Sequence, residues 1–533
     1  MLFSKQTLVL EKTDLFSSLF QDYISESEKV KPFYSDHIHN KDFASYLENN
    51  PFQDLDRIQL VKSLQIQSAL VDNTSDSSLA NIILLKNLTT YTVTTGHQLC
   101  LFTGPLYFIY KIISTINLCK TLKENFPDKN FIPVYWMASE DHDFEEINHV
   151  NVFGKKIAWN STQKGSVGEL STEGLQEVIV ELKTILGDNE NSNELIQLFE
   201  KAYTQHLNLA DATRYLVNEL FGEYGIVILD GNDLELKQLF KEEFKKDIFE
   251  NSPFKLVNKT IDDLKKHYSA QVTPREINVF YKDKGVRERI EKQGERFVVL
   301  NTDISFSKKE LEDIIENSPQ KLSPNVVLRP LYQQKILPNI AYVGGPGELA
   351  YWLEYKSMFD AFTISMPILM PRNFVMVLDK VNQNKLHKLN LNTEDIFKDG
   401  EELVKHLIKT QHNDINLEEA KKQLAKIYSE ITETVLNIDK TLGGTAEAEK
   451  QKAINGLGSI EQKIIKALKQ KSETDVNQIW SLKEKLFPKN NPQERTDNFS
   501  MYYSKYGKEF IASLVSELSY DLQKFEYTLL KEI

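Results

Sequence analysis

Between Ser139 and His149 the chain reads SEDHDFEEINH, a dense run of groups that hold or move protons. Glu140, Asp141, His142, Asp143 and Glu146 supply four carboxylates and an imidazole, and Asn148 and His149 close the run. Three chemistries fit these residue types: ligation of a metal ion, acid–base catalysis, or the cap of a helix. Capping by Asp141 or Asp143, with Glu145 and Glu146 in the first turn, suits the helix dipole. It does not account for His142 and His149, because a histidine is better placed at the other end of a helix. If the run is helical, Glu145 and His149 share a face, as do His142 and Glu146. That spacing permits a metal, but no HExxH or CxxC pattern is present and no metal is assigned. A carboxylate–histidine set that binds an amine and moves protons is the preferred reading.

Two further stretches carry similar groups. In TGHQLCLFTGP (Thr95–Pro105), Gly96 and Gly104 let backbone approach a ligand, and His97 and Gln98 add side-chain donors. Thr103 or Gly104 can cap a helix that has Pro105 at its first position, where N–H groups would face an anion. GGPGE contributes Gly344, Gly345 and Gly347, whose N–H groups could meet a ligand, and Glu348 as an acceptor. Each stretch also reads as a plain turn between strand and helix. Arg329 and Arg372 lie at predicted strand edges, where a planar guanidinium suits a carboxylate, a phosphate or a surface ion pair. No GxGxxG and no phosphate-loop lysine–serine pair occurs. Cys119 reads as a small core residue; Cys100 is near the site but has no readable base.

These stretches follow predicted strands, and ligands of open α/β sheets bind beyond the carboxyl ends of strands. TYTVTTG (Thr90–Gly96) alternates and is β-branched, and FIPVYWMAS (Phe131–Ser139) is almost wholly apolar, as a buried parallel strand is. Leu106, Ile109, Ile113, Ile116 and Leu122 give the helix between them one apolar face. YGIVILDG, VVLRPL, NIAYVGG and FVMVLD read as further strands, and EINVFYKD with RFVVLNT as a hairpin in an insertion near 265–320. The fold class is α/β, a doubly wound Rossmann-like core with insertions. Residues 1–159 and 224–379 form the core, and 160–223 a helical insertion. From 380 to 490 strand signals vanish. Leu417, Leu424, Ile431 and Ile438 repeat every seven residues, and after LGGT (Leu442–Thr445) the pattern resumes with Ala453, Leu457, Ile460 and Ile464. This predicts an antiparallel helical hairpin whose narrow seam invites a second copy, with 491–533 returning to the core as loop and helix.

The 533 residues allow two or three domains, and a net charge of −13 argues against nucleic acid as the main partner. Two cysteines point to a reducing compartment, and no signal peptide or apolar membrane stretch is read, so a cytoplasmic location is expected.

The blocks TTGHQLCLFTGPLYFIYK, PVYWMASEDHDFEEINHV, LRPLYQ, LPNIAYVGGPGELAYW and PQER resemble the cysteine-adding enzymes of bacillithiol biosynthesis over essentially the full length. The resemblance implies a core related to nucleotidylyltransferases, two connecting-peptide insertions and a homodimer through the coiled coil. It implies an amide between the carboxyl of L-cysteine and the amine of glucosaminyl-malate; because a carboxylate and an ammonium do not condense unaided, ATP and Mg²⁺ are the expected activating pair. On this footing His97, Gln98 and the Pro105 helix start, with Gly96, Thr103, Gly104 and Tyr107, are expected at a phosphate or carboxylate. Asp141, His142, Asp143 and Glu146, with Glu140, Asn148 and His149, would take the amino groups, one accepting a proton. Arg329 or Arg372 would hold the malate carboxylates beside Gly344, Gly345, Gly347 and Glu348. Arg495 and Asn498 are candidates for a second nucleotide site. The second signature motif of class I adenylating enzymes is absent, and so are the cysteines of a zinc thiolate site. A metal-dependent hydrolase built on Asp141–His149, or a structural dimer with a degenerate site, are the rival readings.

Overall fold

The β-branched run at Thr90 does form a strand, and it lies at the centre of a five-stranded parallel sheet. In the computed structural model, which describes residues 2–50, 52–411, 417–522 and 524–533, the chain divides into two units. The first comprises Met1–Val377 and Gln493–Ile533, the second Leu378–Pro492. Among the described residues no helix is long and apolar enough to cross a membrane.

In chain order the core strands are Thr90–His97, Asn130–Met137, Val227–Asp230, Asn339–Gly344 and Ile368–Pro371. In the sheet they lie in the order fifth, fourth, first, second, third, and every pairing is parallel. The order reverses between the first and fourth strands, which is the switch point where doubly wound sheets bind ligands. Between the first two strands runs the helix Tyr107–Asn125, buried almost all round from Phe108 to Cys119. Its neighbours include Leu99, Leu101, Phe102 and Tyr135, part of a core that continues into the helical insertion. That insertion carries Leu175–Leu186, Glu190–Thr204 and Leu209–Phe221.

Several expectations are corrected. The helix begins at Tyr107, two residues beyond Pro105, and has no side-chain cap. SEDHDFEEINH makes only a four-residue helix, Phe144–Ile147, and His149 opens a short strand, so Glu145 and His149 do not share a helical face. VVLRPL is a loop leading into the helix Arg329–Ile336, because Pro330 occupies the first turn and ends the extended run. Phe280 and Phe297 lie on strands that do not pair with each other. A strand that the reading misses, Val286–Gln293, lies between them in a five-stranded antiparallel sheet. The fifth core strand is Ile368–Pro371, not FVMVLD. Phe374–Leu378, which ends as the chain leaves this unit, belongs to a separate sheet with Phe3–Val9 and Glu526–Glu532. The last two pair antiparallel from Phe3↔Glu532 to Val9↔Glu526, so the segment 491–533, expected as loop and helix, also contributes a strand.

The second unit is helical. Glu418–Ile438 and Gly443–Lys471 form an antiparallel pair about the turn Lys440–Leu442, with the break just before the double glycine. Neither long helix has a buried residue, and Ile427, Ile431, Leu436, Ile438 and Ile460 are exposed. Positions 412–416 of the predicted helical domain lie outside the described residues.

Candidate active site

Beyond the carboxyl ends of the core strands, at the switch point, lies a cleft of about 750 Å³. Gly96, His97 and Gln98 enter it from the first strand, Glu140, Asp141, His142 and Glu146 from the second, and Gly345, Gly347 and Glu348 from the fourth. Tyr107, Arg329, Arg372 and Arg495 also line it. The three stretches that sequence singles out therefore do meet.

Its floor is an ion pair between the buried Lys111 and Glu348, whose side chain is 26% exposed to the cleft. Lys111 sits on the buried helix, where its Nζ donates to the Gly96 carbonyl and, at 2.8 Å each, to both carboxylate oxygens of Glu348. Glu348 also accepts from the Tyr342 hydroxyl at 3.0 Å and from the Gly345 N–H at 2.8 Å. Burial acts to raise the Glu348 pKa, but the Lys111 ammonium and the Gly345 N–H outweigh it and hold the carboxyl below its usual value. These contacts correct two expectations. The Gly345 N–H is spent on Glu348, and both Glu348 oxygens are already occupied by protein donors. The pair braces the turn at the switch point.

Above it, His97 Nδ1 lies 2.8 Å from the Gln98 carbonyl and must donate to it, which leaves Nε2 as an acceptor. Burial, with Lys111 close by, lowers the His97 pKa to about 4, so the ring is neutral at pH 7. Gln98 Nε2 donates to Asp141 Oδ2 and Glu146 Oε2, both at 2.7 Å, and clamps two carboxylates side by side. Asp141 also accepts from the His142 N–H at 2.7 Å. Burial would raise its pKa, yet the Gln98 amide, the nearby Arg287 and the His142 N–H together hold it below the usual carboxylate range. Arg287 Nη1 lies 2.6 Å from His142 Nδ1. A guanidinium only donates, so Nδ1 accepts and the ring carries its proton on Nε2. Glu140 is ion-paired with the buried Lys237.

The cleft is also lined by cations. Arg287 and Arg289 alternate on the strand Val286–Gln293, so they share a face, and Arg287 stacks 4.2 Å from the centre of the Phe280 ring. Arg275 and Arg495 add two more guanidinium groups. Among the described residues no carboxylate lies within ion-pair distance of Arg275, Arg287, Arg329 or Arg495. Arg329 is held 5.7 Å from the centre of the Tyr342 ring and 6.0 Å from those of Trp136 and Trp352, and donates to Gln333 at 3.1 Å. Gly96 makes room for this group: a Cβ there would lie 3.3 Å from the Tyr342 hydroxyl and 3.7 Å from Arg329 Nη1.

Other candidates are committed elsewhere. Thr103, Gly104 and Pro105 do not line the cleft, and the Leu106 N–H of the supposed anion site donates to Asp497. Gly104 is needed for its φ of +70° and because a Cβ would lie 2.6 Å from Cys100 Cβ. Asp143 caps the short helix through the Glu146 N–H, and His149 pairs with Asn148. Gly344 packs against Leu349 and Glu348 below the cleft. Arg372 makes a bidentate buried pair with Glu494, at 3.0 and 2.7 Å, so its fork is not open to malate. Asn498 is buried, with its amide on the Phe102 and Gly104 carbonyls, while Arg495 belongs to the main cleft rather than to a second site. The Asp141–His149 cluster brings no three metal-ligand atoms together; the one such group among the described residues lies outside the cleft. Burial raises the Cys100 pKa to about 12, so its thiol is not a nucleophile at neutral pH.

Sequence reasoning misses Lys111, Arg275, Arg287, Arg289, Tyr342 and Trp136. Lys111 is the one with a signal, a lone cation amid apolar helix positions.

Residues 3–373 match the family described as "Bacillithiol biosynthesis BshC, N-terminal Rossmann-like domain", and 375–531 its "C-terminal coiled-coil domain". A protein of Flavobacterium johnsoniae named "Putative cysteine ligase BshC" is 44% identical over 506 residues, covering 94% of this chain and 95% of its own length. One of Cytophaga hutchinsonii with the same name is 39% identical, covering 93% of each chain. One of Bacillus licheniformis is 28% identical over 526 residues, covering 94% of this chain and 96% of its own length.

Proposed function

The chain belongs to the BshC family of bacillithiol biosynthesis, and from that premise we propose that it joins the carboxyl of L-cysteine to the amine of glucosaminyl-malate as an amide. The observation that carries this reading is a single cleft lined both by the Gln98-clamped carboxylates of Asp141 and Glu146 and by several arginines. Its volume of about 750 Å³ also suits two small substrates.

An ammonium docks on Asp141, whose depressed pKa makes it a fixed negative charge rather than a base. Glu146, exposed to solvent, takes the proton that the sugar amine must lose before it attacks. His97, neutral and with Nε2 open as an acceptor, orients an N–H or O–H of the substrate. Arg329 grips a malate carboxylate. A carboxylate and an ammonium do not condense unaided, so the cysteine carboxyl must be activated, and ATP with Mg²⁺ would supply the leaving group. Arg275, Arg287, Arg289 and Arg495 fit a polyphosphate by charge. Holding amine and acyl group in one cleft then makes their meeting effectively intramolecular. We place the enzyme in the cytoplasm, working as a homodimer through the exposed apolar residues of the hairpin.

The test is mass spectrometry of the purified chain incubated with cysteine and glucosaminyl-malate, with and without ATP and Mg²⁺. Amide formed only with ATP, together with AMP or ADP, supports the reading and identifies the activated species. Absence of product from folded protein under both conditions rejects it. Light scattering on the intact protein reads the dimer separately.

A further inference from the structure

We propose that Glu26, His37 and His39 bind a divalent cation of the zinc class, at a structural site separate from the cleft. None of the three lines the cleft. One carboxylate oxygen and one nitrogen from each imidazole lie within 4.8 Å of one another. His37 Nδ1 is 3.2 Å from Glu26 Oε1, and His39 Nε2 is 3.4 Å from Glu26 Oε2. A tetrahedral ion with bonds of about 2.0–2.1 Å keeps its ligand atoms roughly 3.3–3.4 Å apart, and each imidazole nitrogen stands at about that distance from one of the two Glu26 oxygens.

The outer nitrogens fix the tautomers. His37 Nε2 lies 2.7 Å from the Tyr23 carbonyl, and His39 Nδ1 lies 3.3 Å from the Leu522 carbonyl. A carbonyl only accepts, so each ring carries its proton on that side and turns a lone pair towards Glu26. Backbone carbonyls orient metal-bound imidazoles in this way. Unless a second proton charges a ring, the inner nitrogens face the carboxylate with lone pairs, and a cation fills the place of that proton. His37 is 2% exposed, and its Nδ1 makes no hydrogen bond among the described residues, because the carboxylate oxygen is not aligned with it. Side chains of Glu26 and His39 are 34% and 31% exposed, which leaves a further coordination position open to water. The ion would tie the end of the helix Ser18–Ile24 to the segment carrying His37 and His39.

The full-length protein, stripped with a chelator and dialysed, would be titrated with ZnCl₂ and, for its visible absorption, with CoCl₂. One equivalent should bind, with the absorption of tetrahedral cobalt, and the unfolding midpoint should rise. Because outer-shell partners alone are worth about 10–100-fold, His39→Ala and Glu26→Gln should each weaken binding by more than about 100-fold and abolish the midpoint rise. Both positions are partly exposed, and circular dichroism of each variant would establish that it folds. His142→Ala should still bind one equivalent. Failure of the parent protein to bind stoichiometrically would overturn the proposal. So would undiminished binding by both folded variants.

Discussion

Lys111→Met keeps an unbranched apolar side chain in the buried helix and removes the ammonium from beneath the cleft. Glu348 is left with the Tyr342 hydroxyl and the Gly345 N–H as its donors. Removing one partner of a fully buried pair costs about 3–5 kcal/mol; Glu348 keeps 26% of its side chain in solvent, which brings the cost to about 2–4 kcal/mol. A unit of roughly 400 residues has an unfolding entropy near 0.8 kcal/mol/K, so the midpoint should fall by about 2–5 °C. The pH dependence has a definite sign. Glu348 is held below its ordinary 4.5, so its stabilisation is complete above that value and is lost as pH falls through the folded pKa. In the variant, burial without a counter-ion pushes that carboxyl up, and protonation relieves it. Thermal unfolding of both proteins should therefore show the larger gap at pH 7.5 and a smaller one at pH 5. Lys111→Met/Glu348→Gln, which removes the stranded charge, should regain a large part of the loss. A gap under about 1 °C at pH 7.5, or one that widens at pH 5, would refute the ion pair.

His97 is neutral in the fold with a pKa near 4, against 6.5 in an unfolded chain, so acidification through that window should cost at most about 3 kcal/mol. His97→Gln should flatten the stability profile between pH 6.5 and 4, as read by denaturant titration. Both thiols are buried and their pKa values are raised, so a thiol reagent at pH 8 should label neither Cys100 nor Cys119 until the protein is unfolded. Arg287→Lys loses the bonds to Ser323 and His142 and the stacking on Phe280, and should weaken binding of an anionic substrate by about tenfold in calorimetry. Gly104→Ala, which forces a Cβ against Cys100 at positive φ, should lower stability by about 1–3 kcal/mol in chemical denaturation.

Four of the five core strands are readable: Ile132, Val227 and Ile340 sit in the apolar runs of buried parallel strands, and Tyr91 in a β-branched, alternating one. The fifth, Ile368–Pro371, hides between two prolines, and Phe374–Leu378 mimics it so well that only the pairing separates them. Val286–Gln293 reads VRERIEKQ, a charged string with no strand signature, and with it Arg287 and Arg289 escape notice. The loops at the strand ends are legible because topology alone brings them together. What each side chain does there is not, since Arg372 and Glu494 are 122 positions apart and nothing local marks one as the other's partner. Glu348 looks open in GGPGE for the same reason: Lys111 reaches it from 237 residues away.

The strand Glu526–Glu532 is the middle member of its sheet, with Phe3–Val9 on one side and Phe374–Leu378 on the other. Neither flanking strand has a partner in that sheet until the middle one arrives. On a ribosome moving at about 5–20 residues per second, Phe3–Val9 waits roughly half a minute to two minutes with its backbone groups unpaired. Such an edge is a template for another chain, so during synthesis the nascent protein carries a sticky margin that its own last strand must cover.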